Sequence, residues 1–219
     1  MIYDPEKNDL TLAYNPFKSI IIPRPIGWIS TIDEKEVHNL APYSQVMNLT
    51  FDPPYIAIAL NEPEKRRKDT TVNIEQVGEF VYNVATYDLR EAVNITSLSA
   101  APEVDEFELA GLTKLASERI KPARVAESPI HMECAYHSTI RLPGNKFGTF
   151  DLIIGKVLLV HINDEYILPN GKVDVQKLRP LCRLGYHDYS VIDSVFEIKQ
   201  TPDSGAYDGL AGAVTQPTK

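Results

Sequence analysis

Short apolar segments separated by polar turns make up most of this chain. Segments that alternate between apolar and polar residues, bounded by proline, glycine or charged turns, are typical of strands. We predict strands at residues 28–32, 39–48, 55–60, 79–86, 131–142 and 150–162. The last two flank a turn at residues 141–145 that contains Pro143 and Gly144, and we expect them to form a hairpin.

Helices are expected only in the connections between these strands. One helix should begin at Lys68-Asp69-Thr70, where Asp69 or Thr70 can cap the first free N–H groups, and should end at Gly78. A second helix should follow the capping-box pattern of residues 88–91 and continue to about residue 98. A short third helix is expected within residues 173–181, and a charged loop at residues 61–67.

The strands outnumber the helices, which predicts a mainly β protein with connecting helices. Most of the strands are amphipathic, whereas the strands of a parallel sheet buried on both faces are continuously apolar. An antiparallel barrel therefore fits the pattern better than a doubly wound parallel sheet. Residues 1–17 are polar and irregular, and beyond about residue 200 the composition shifts to small residues, proline and aspartate. We expect an N-terminal extension at 1–17, a barrel domain at 18–199 and a C-terminal tail at 200–219.

Charge and cysteine content narrow the classes of function. The 219 residues carry a formal net charge of −8, which argues against binding to nucleic acid or to an anionic membrane surface. The two cysteines, Cys134 and Cys182, do not form a C-x-x-C pair. The sequence shows no signal peptide and no apolar stretch long enough to span a membrane, so a reduced, cytoplasmic protein is expected.

The start of the helix at Lys68-Asp69-Thr70 is a candidate anion site. A helix N-terminus offers unpaired N–H groups and the positive end of the helix dipole, and here a lysine and a threonine hydroxyl are added. The alternative is a simple capped surface helix. Residues 24–31 and 39–48 are weaker candidates. In the first segment Trp28 could equally be a core or interface aromatic and Arg24 a surface ion-pair partner, and the second could be an ordinary strand with alternating burial.

The sequence lacks the motifs of metal sites, Rossmann nucleotide-binding domains and α/β-hydrolases. His131, Glu133 and His137 face one side of their predicted strand and Cys134 faces the other, so we expect no metal site. Glycine-rich nucleotide-binding motifs are absent, which excludes a Rossmann domain as the holder of a nicotinamide donor. No serine lies in a G-x-S-x-G sequence, so an α/β-hydrolase is excluded as well.

A series of motifs follows one order along the chain. They are RPIGWIST at 24–31, NLAPYS at 39–44, DPP at 52–54, KDT at 68–70 with Asn73-Ile74, GEFVYN at 78–83, VDEF at 104–107, ESPI at 127–130 with Glu133-Cys134, and IGKV at 154–157. In this order they resemble the flavin-reductase-like, FMN-binding split-barrel family. The resemblance covers about residues 18–197.

The resemblance implies a six-stranded antiparallel split barrel and a homodimer that holds FMN in a groove near the subunit interface. Carried over residue by residue, it places residues 28–31 beside the isoalloxazine and ribityl chain, and Lys68 and Thr70 at the phosphate. Arg66 and Arg67 are further candidates for the phosphate site. The full set of implied cofactor contacts is Arg24, Trp28, Ile29, Ser30, Thr31, Asn39, Ala41, Pro42, Ser44, Asn48, Lys68, Asp69, Thr70 and Arg183.

The function implied by the resemblance is that of a flavin reductase. NADH or NADPH would reduce FMN, and the electrons would pass to free flavin, a protein partner or a metal ion. Hydride transfer requires no general base, so the lack of a catalytic triad is no objection. A flavin-binding electron carrier without nicotinamide turnover has the same sequence features and stays an alternative, as does an interaction protein that has lost its cofactor.

Overall fold

A computed structural model of the protein describes residues 1–7, 11–63, 66–145 and 148–198. The strands are β1 (Arg24–Pro25), β2 (Gly27–Ile32), β3 (His38–Tyr43), β4 (Val46–Phe51), β5 (Pro54–Pro63), β6 (Glu79–Val84), β7 (Lys114–Leu115), β8 (Arg124–Val125), β9 (Ile130–Asn145), β10 (Gly148–Ile162), β11 (Cys182–Gly185) and β12 (Asp188–Ser190). The helices are α1 (Asp69–Val77), α2 (Arg90–Ile95), α3 (Glu106–Leu109) and α4 (Val175–Leu178), with 3₁₀ turns at Pro16–Ser19, Tyr87–Leu89 and Asp164–Tyr166.

An antiparallel sheet of seven strands, in the order β3-β2-β6-β9-β10-β5-β4, forms the body of the protein. Its edge strands β3 and β4 are separated in the chain only by Ser44 and Gln45. Because so short a link joins opposite edges, the sheet must curl until those edges approach each other, as in a barrel. The mainly β prediction is confirmed, and the main sheet has seven strands rather than the six expected.

The seventh strand arises within a segment that the sequence pattern predicted as a single extended stretch. Residues 39–48 bend at Ser44 and Gln45 and contribute to both edges of the sheet. The first part, β3, pairs with β2, and the second part, β4, pairs with β5. Alternation of side chains cannot reveal such a bend, because the residues on both sides of it remain extended.

Two buried clusters lie on opposite faces of β2. Ile29 packs with Ile58, Phe80 and other residues inside the curled sheet. Trp28, the next residue back along the strand, packs with Val93 and other residues of the second cluster, which also includes side chains from α3 and β8. Every residue of β2 is therefore buried, although a strand with one solvent face would alternate.

The long hairpin of β9 and β10 is confirmed. These strands pair in antiparallel register from Ile130 opposite Ile162 to Asn145 opposite Gly148, so both reach farther toward the turn than predicted. Gly155 on β10 allows the sheet to pack closely, since a Cβ added there would lie 2.3 Å from Phe80 Cζ. Gly78 ends α1 in the left-handed conformation with φ of 80°, as predicted.

The helix starts differ from the predictions. Lys68, rather than Asp69 or Thr70, occupies the N-cap of α1, and its side chain makes no capping hydrogen bond. The capping box expected at residues 88–91 is wrong, because residues 87–89 form a 3₁₀ turn and α2 begins only at Arg90 and ends at Ile95. Neither helix start therefore has the side-chain cap that the local sequence predicted.

Two further segments differ in extent from the predictions. The expected loop at residues 61–67 is partly wrong, because β5 pairs with β10 as far as Pro63. The third helix is present but covers only Val175–Leu178. The predicted C-terminal tail, residues 200–219, lies outside the described residues. In the described ranges, no helix has both the length and the apolar composition needed to cross a bilayer.

Candidate functional site

A groove with a volume of about 260 Å³ lies where the N-terminus of α1 meets β3. We call it the helix groove. Its other walls are the segment 96–100 after α2 and Glu106 at the start of α3. Six residues proposed from the sequence line it together, namely Asn39, Ala41, Pro42, Lys68, Asp69 and Thr70.

The first turn of α1 leaves donors available at this groove. Within the described part of the chain, the backbone N–H groups of Thr70 and Thr71 have no acceptor, as expected for a helix start without a side-chain cap. The Lys68 N–H and the Thr71 hydroxyl are both bound by the buried carboxylate of Glu62 on β5. Glu62 therefore holds the start of α1 in place without using the N–H groups of Thr70 and Thr71, which stay available to bind an anion.

Three basic residues line the helix groove, and among the described residues Lys68 is the one without a carboxylate partner. Arg66 forms an ion pair with Asp69, and Arg67 is held by both oxygens of Glu75 and by Asp151 at 2.7–2.9 Å. In the described ranges the Lys68 ammonium makes no ion pair and lies 5.9 Å from the centre of the Tyr43 ring. It is therefore the basic group most available to a ligand.

Glu106 brings an acidic group into the same groove. It is only 5 % exposed, and one carboxylate oxygen accepts a hydrogen bond from Leu40 N–H at 3.0 Å. Burial raises the pKa of Glu106 above its ordinary value, and this outweighs the opposing effect of that hydrogen bond. Glu106 is therefore a carboxyl group of the groove whose charged form is disfavoured by burial.

A buried hydrogen-bond network lies beneath the groove. Thr70 Oγ1 accepts hydrogen bonds from the Tyr43 hydroxyl at 2.8 Å and from Asn39 Nδ2 at 2.9 Å. Asn39 Nδ2 also lies 3.3 Å from Thr31 Oγ1, which accepts from Asn73 Nδ2 at 3.1 Å. The network links strands β2 and β3 to α1 through side chains alone.

A second and larger groove, with a volume of about 950 Å³, adjoins the first. The two share Pro42 and Ser97 in their walls. We call the second one the tyrosine groove, since Tyr87 and Tyr189 line it with Arg90, Arg183 and His187. The Arg90 guanidinium lies 4.2 Å from the centre of the Tyr87 ring, so planar stacking surfaces and positive charge occur side by side.

Only part of the predicted set reaches these grooves. Ser44 and Arg183 line the tyrosine groove. The Arg183 guanidinium stacks over Tyr189 with 4.5 Å between its carbon and the ring centre, and donates to the Tyr189 hydroxyl and the Tyr186 carbonyl. Arg24 turns away and donates to the carbonyls of Lys18 and Ile21, both at 3.0 Å. Asn48 lies on the exposed edge strand β4 and lines neither groove.

The structure does not bring the four residues at positions 28–31 to either groove. All four are 0 % exposed. Trp28 Nε1 donates to Thr96 Oγ1 at 2.8 Å, and the Ser30 hydroxyl donates to the Ala123 carbonyl at 2.6 Å. Their contact with a flavin stays a prediction from the family resemblance. In this structure they support the site from beneath, since Thr96 borders the helix groove.

Several groove residues were missed by sequence reasoning. Tyr43 lies within the NLAPYS motif but had no role assigned to it, and Glu106 belongs to a motif that served only for the resemblance. The small polar run at residues 96–100 follows a helix end, which is a signal that could have identified it as a wall of a binding site. Among the residues that the structure describes, no three His, Cys, Asp or Glu side chains are placed to hold a metal ion.

Comparison with known proteins agrees with this architecture. A family model described as the flavin reductase like domain matches residues 19–179. An uncharacterized protein of Halalkalibacterium halodurans is 36 % identical over 81 % of this chain and 86 % of its own length. One of Aquifex aeolicus is 33 % identical over 82 % of this chain and 90 % of its own length.

Solved structures are similar over nearly the whole chain. Nitrilotriacetate monooxygenase component B of Bacillus cereus superposes with a TM-score of 0.84 at 31 % identity, over 90 % of this chain and 98 % of its own. The 2-nitrobenzoate 2-nitroreductase of Pseudomonas fluorescens has a TM-score of 0.79 at 22 % identity, over 94 % of this chain and 99 % of its own. At that identity the similarity shows only that the two proteins share a fold. With the split barrel and its grooves described, these matches establish that the chain belongs to the flavin reductase like family.

Proposed function

We propose that this protein is an FMN-binding oxidoreductase in which NADH or NADPH reduces the flavin, and the electrons pass to free flavin, a protein partner or a metal ion. The observation that carries the proposal is the helix groove, where the Lys68 ammonium and the N–H groups of Thr70 and Thr71 have no partner among the described residues. These groups suit a phosphate at the edge of a larger cavity. The membership of the family supports the flavin as the group that carries this phosphate.

The residues of the helix groove suit both the phosphate and the planar ring of FMN. Lys68, Thr70 and the N–H groups of α1 would hold the phosphate. Ala41 and Pro42 are small or flat residues of β3 that leave space for a planar ring beside the strand. Among the carboxyl groups nearby, Asp69 is paired with Arg66, and burial raises the pKa of Glu106 above its ordinary value. The groove is therefore not closed to an anion by the overall negative charge of the chain.

The tyrosine groove is the proposed place for the hydride donor. It adjoins the helix groove through Pro42 and Ser97, so a ligand there would meet a ring lying along β3. Arg90 and Arg179 both lie over the Tyr87 ring, at 4.2 and 4.3 Å from its centre, and Arg183 lies over Tyr189. Arg90 and Arg183 line the groove and supply positive charge for a phosphate. FMN supplies the two-electron chemistry when bound. The chain contributes binding and orientation, and no side chain has to move a proton for the hydride to transfer.

A homodimer is part of the proposal. The edge strand β4 exposes Met47, Leu49 and Phe51, whose exposed fractions are 58 %, 42 % and 76 %. Exposed apolar side chains on an edge strand favour a protein interface, and a second copy is the occupant proposed here. Since β4 follows β3 directly, this interface would lie close to the groove that holds the flavin.

The test is reconstitution followed by anaerobic reduction. The purified protein is saturated with FMN, freed of excess flavin and mixed without oxygen with NADH or with NADPH while the flavin spectrum is recorded. The proposal requires bound FMN that is reduced by at least one nicotinamide. If FMN binds but stays oxidised with both donors, the protein is a flavin carrier. If no FMN binds, the flavin assignment itself fails.

A further inference from the structure

Thr70 has the most constrained hydroxyl group of the helix groove. A threonine hydroxyl can donate one hydrogen and accept through two lone pairs. The Tyr43 hydroxyl donates to Thr70 Oγ1 at 2.8 Å, and Asn39 Nδ2 donates to the same oxygen at 2.9 Å. Both lone pairs are therefore occupied, and the only capacity left to Thr70 is the donation of its hydrogen.

That hydrogen has no acceptor among the residues that the structure describes. Across the described ranges, Thr70 Oγ1 donates to no carbonyl and to no carboxylate. The side chain is almost wholly buried but borders the helix groove, so the groove is the direction in which an acceptor can be met.

The direction of the hydrogen bond from Tyr43 to Thr70 follows from burial. Tyr43 is 9 % exposed, and in the described part of the chain its hydroxyl has no acceptor other than Thr70. If Thr70 donated to Tyr43 instead, the phenolic hydrogen would be buried without a partner, which is unfavourable. Burial also raises the pKa of Tyr43, so the phenol keeps its hydrogen at every ordinary pH.

We propose that Tyr43 and Asn39 are positioning residues that fix the Thr70 hydroxyl as a hydrogen-bond donor to the flavin phosphate and thereby make the site selective for FMN over riboflavin. The inference rests on the proposed function and names the specificity of the same site. Neither residue has to touch the cofactor to act. Each occupies a lone pair of Thr70, so the hydroxyl cannot turn to accept and offers only a donor to the ligand.

Removing one of these donors changes what Thr70 can do. In a Tyr43→Phe variant the aromatic ring still fills its place in the core, but one lone pair of Thr70 is free. The hydroxyl can then rotate about the Cβ–Oγ1 bond and is no longer held in the orientation that donates to a phosphate. Affinity for FMN should fall, whereas affinity for riboflavin, which lacks the phosphate, should not change.

The experiment measures dissociation constants for FMN and riboflavin by fluorescence titration of the full chain. The variants are Tyr43→Phe, Thr70→Val, the two combined, and Thr70→Ser as the conservative control. Loss of one neutral or charge-assisted hydrogen bond predicts an FMN affinity about fivefold to tenfold weaker for Tyr43→Phe and about tenfold or more weaker for Thr70→Val. Thr70→Ser should retain the wild-type ratio of the two constants.

The combined variant gives the decisive comparison. If Tyr43 acts through Thr70, the combined variant binds FMN no more weakly than Thr70→Val alone. Additive losses, an unchanged FMN constant for Tyr43→Phe, or an equal loss for riboflavin would each overturn the inference. The ratio of the FMN and riboflavin constants does not depend on the fraction of folded protein, so partial unfolding of a variant cannot imitate the result. A wild-type protein that binds neither flavin would instead refute the proposed function, and the inference with it.

Discussion

Lys68 is expected to contribute more to FMN affinity than any other basic side chain of the helix groove. Arg66 and Arg67 already have carboxylate partners, whereas Lys68 has none in the described ranges. A contact from Lys68 to the phosphate therefore does not require an existing ion pair to break. Charge-assisted hydrogen bonds contribute about 1.5–3 kcal/mol, which corresponds to roughly tenfold to 150-fold in the dissociation constant. Because Lys68 is partly exposed, we expect the increase in the FMN dissociation constant of Lys68→Ala to lie near the lower end of this range.

The assay is titration of FMN and of riboflavin at two salt concentrations. Lys68→Ala should weaken FMN binding by about tenfold at low salt and by less at high salt, because screening reduces the contribution of a partly exposed charge. Riboflavin binding should be unaffected. Lys172→Ala is the matched control, since it removes the same charge from an exposed lysine that lines neither groove. If Lys68→Ala binds FMN within twofold of the control, the phosphate is not held at α1.

Three further predictions concern the fold and its assembly. Asp151→Asn removes a carboxylate that is 0 % exposed and bonded to Arg67 and Arg141, so urea denaturation should show a loss of about 2–3 kcal/mol in unfolding free energy. Burial lowers the pKa of His131 from 6.5 to about 4, so its contribution to stability is complete above pH 6.5 and is lost as the pH falls toward 4. His131→Gln should flatten the stability profile across that interval. Phe51→Asp should convert a dimer to monomers in light scattering.

Each of these has an outcome that would contradict it. Denaturation of Asp151→Asn at the wild-type midpoint would mean that the two arginines find other partners. An unchanged pH profile in His131→Gln would assign the acid sensitivity to other groups. A wild-type protein that is monomeric at every concentration tested would exclude the β4 interface, and a dimeric Phe51→Asp would place the interface on another face.

The parts of the fold that depend on local sequence were predictable. Gly78 ends α1 because the left-handed conformation favours glycine, and the β9–β10 hairpin follows from two extended segments around one turn. The division of residues 39–48 between two sheet edges was not predictable. It depends on which strands pair with each half, and those partners, β2 and β5, lie elsewhere in the chain.

The candidate site shows the same division. The helix start at Lys68 and Thr70 has a local physical reason to bind an anion, and that reason is visible in the sequence. A core position for Trp28 was one alternative from the sequence, but the burial of every residue of β2 was not predicted, because it results from the covering of both faces of that strand by separate clusters. Likewise, Glu62 binds the Lys68 N–H and the Thr71 hydroxyl only because β5 brings its carboxylate to the start of α1. Contacts between distant segments decide these features, and periodicity along one segment carries no information about them.

The most direct test of the proposed flavin reductase activity is the spectrum of FMN-loaded protein mixed anaerobically with NADH and, separately, with NADPH. We predict that flavin remains with the protein after removal of the excess and that its oxidised absorbance is bleached by at least one of the two donors. Flavin that stays oxidised with both donors, or that does not remain with the protein at all, would contradict the proposal.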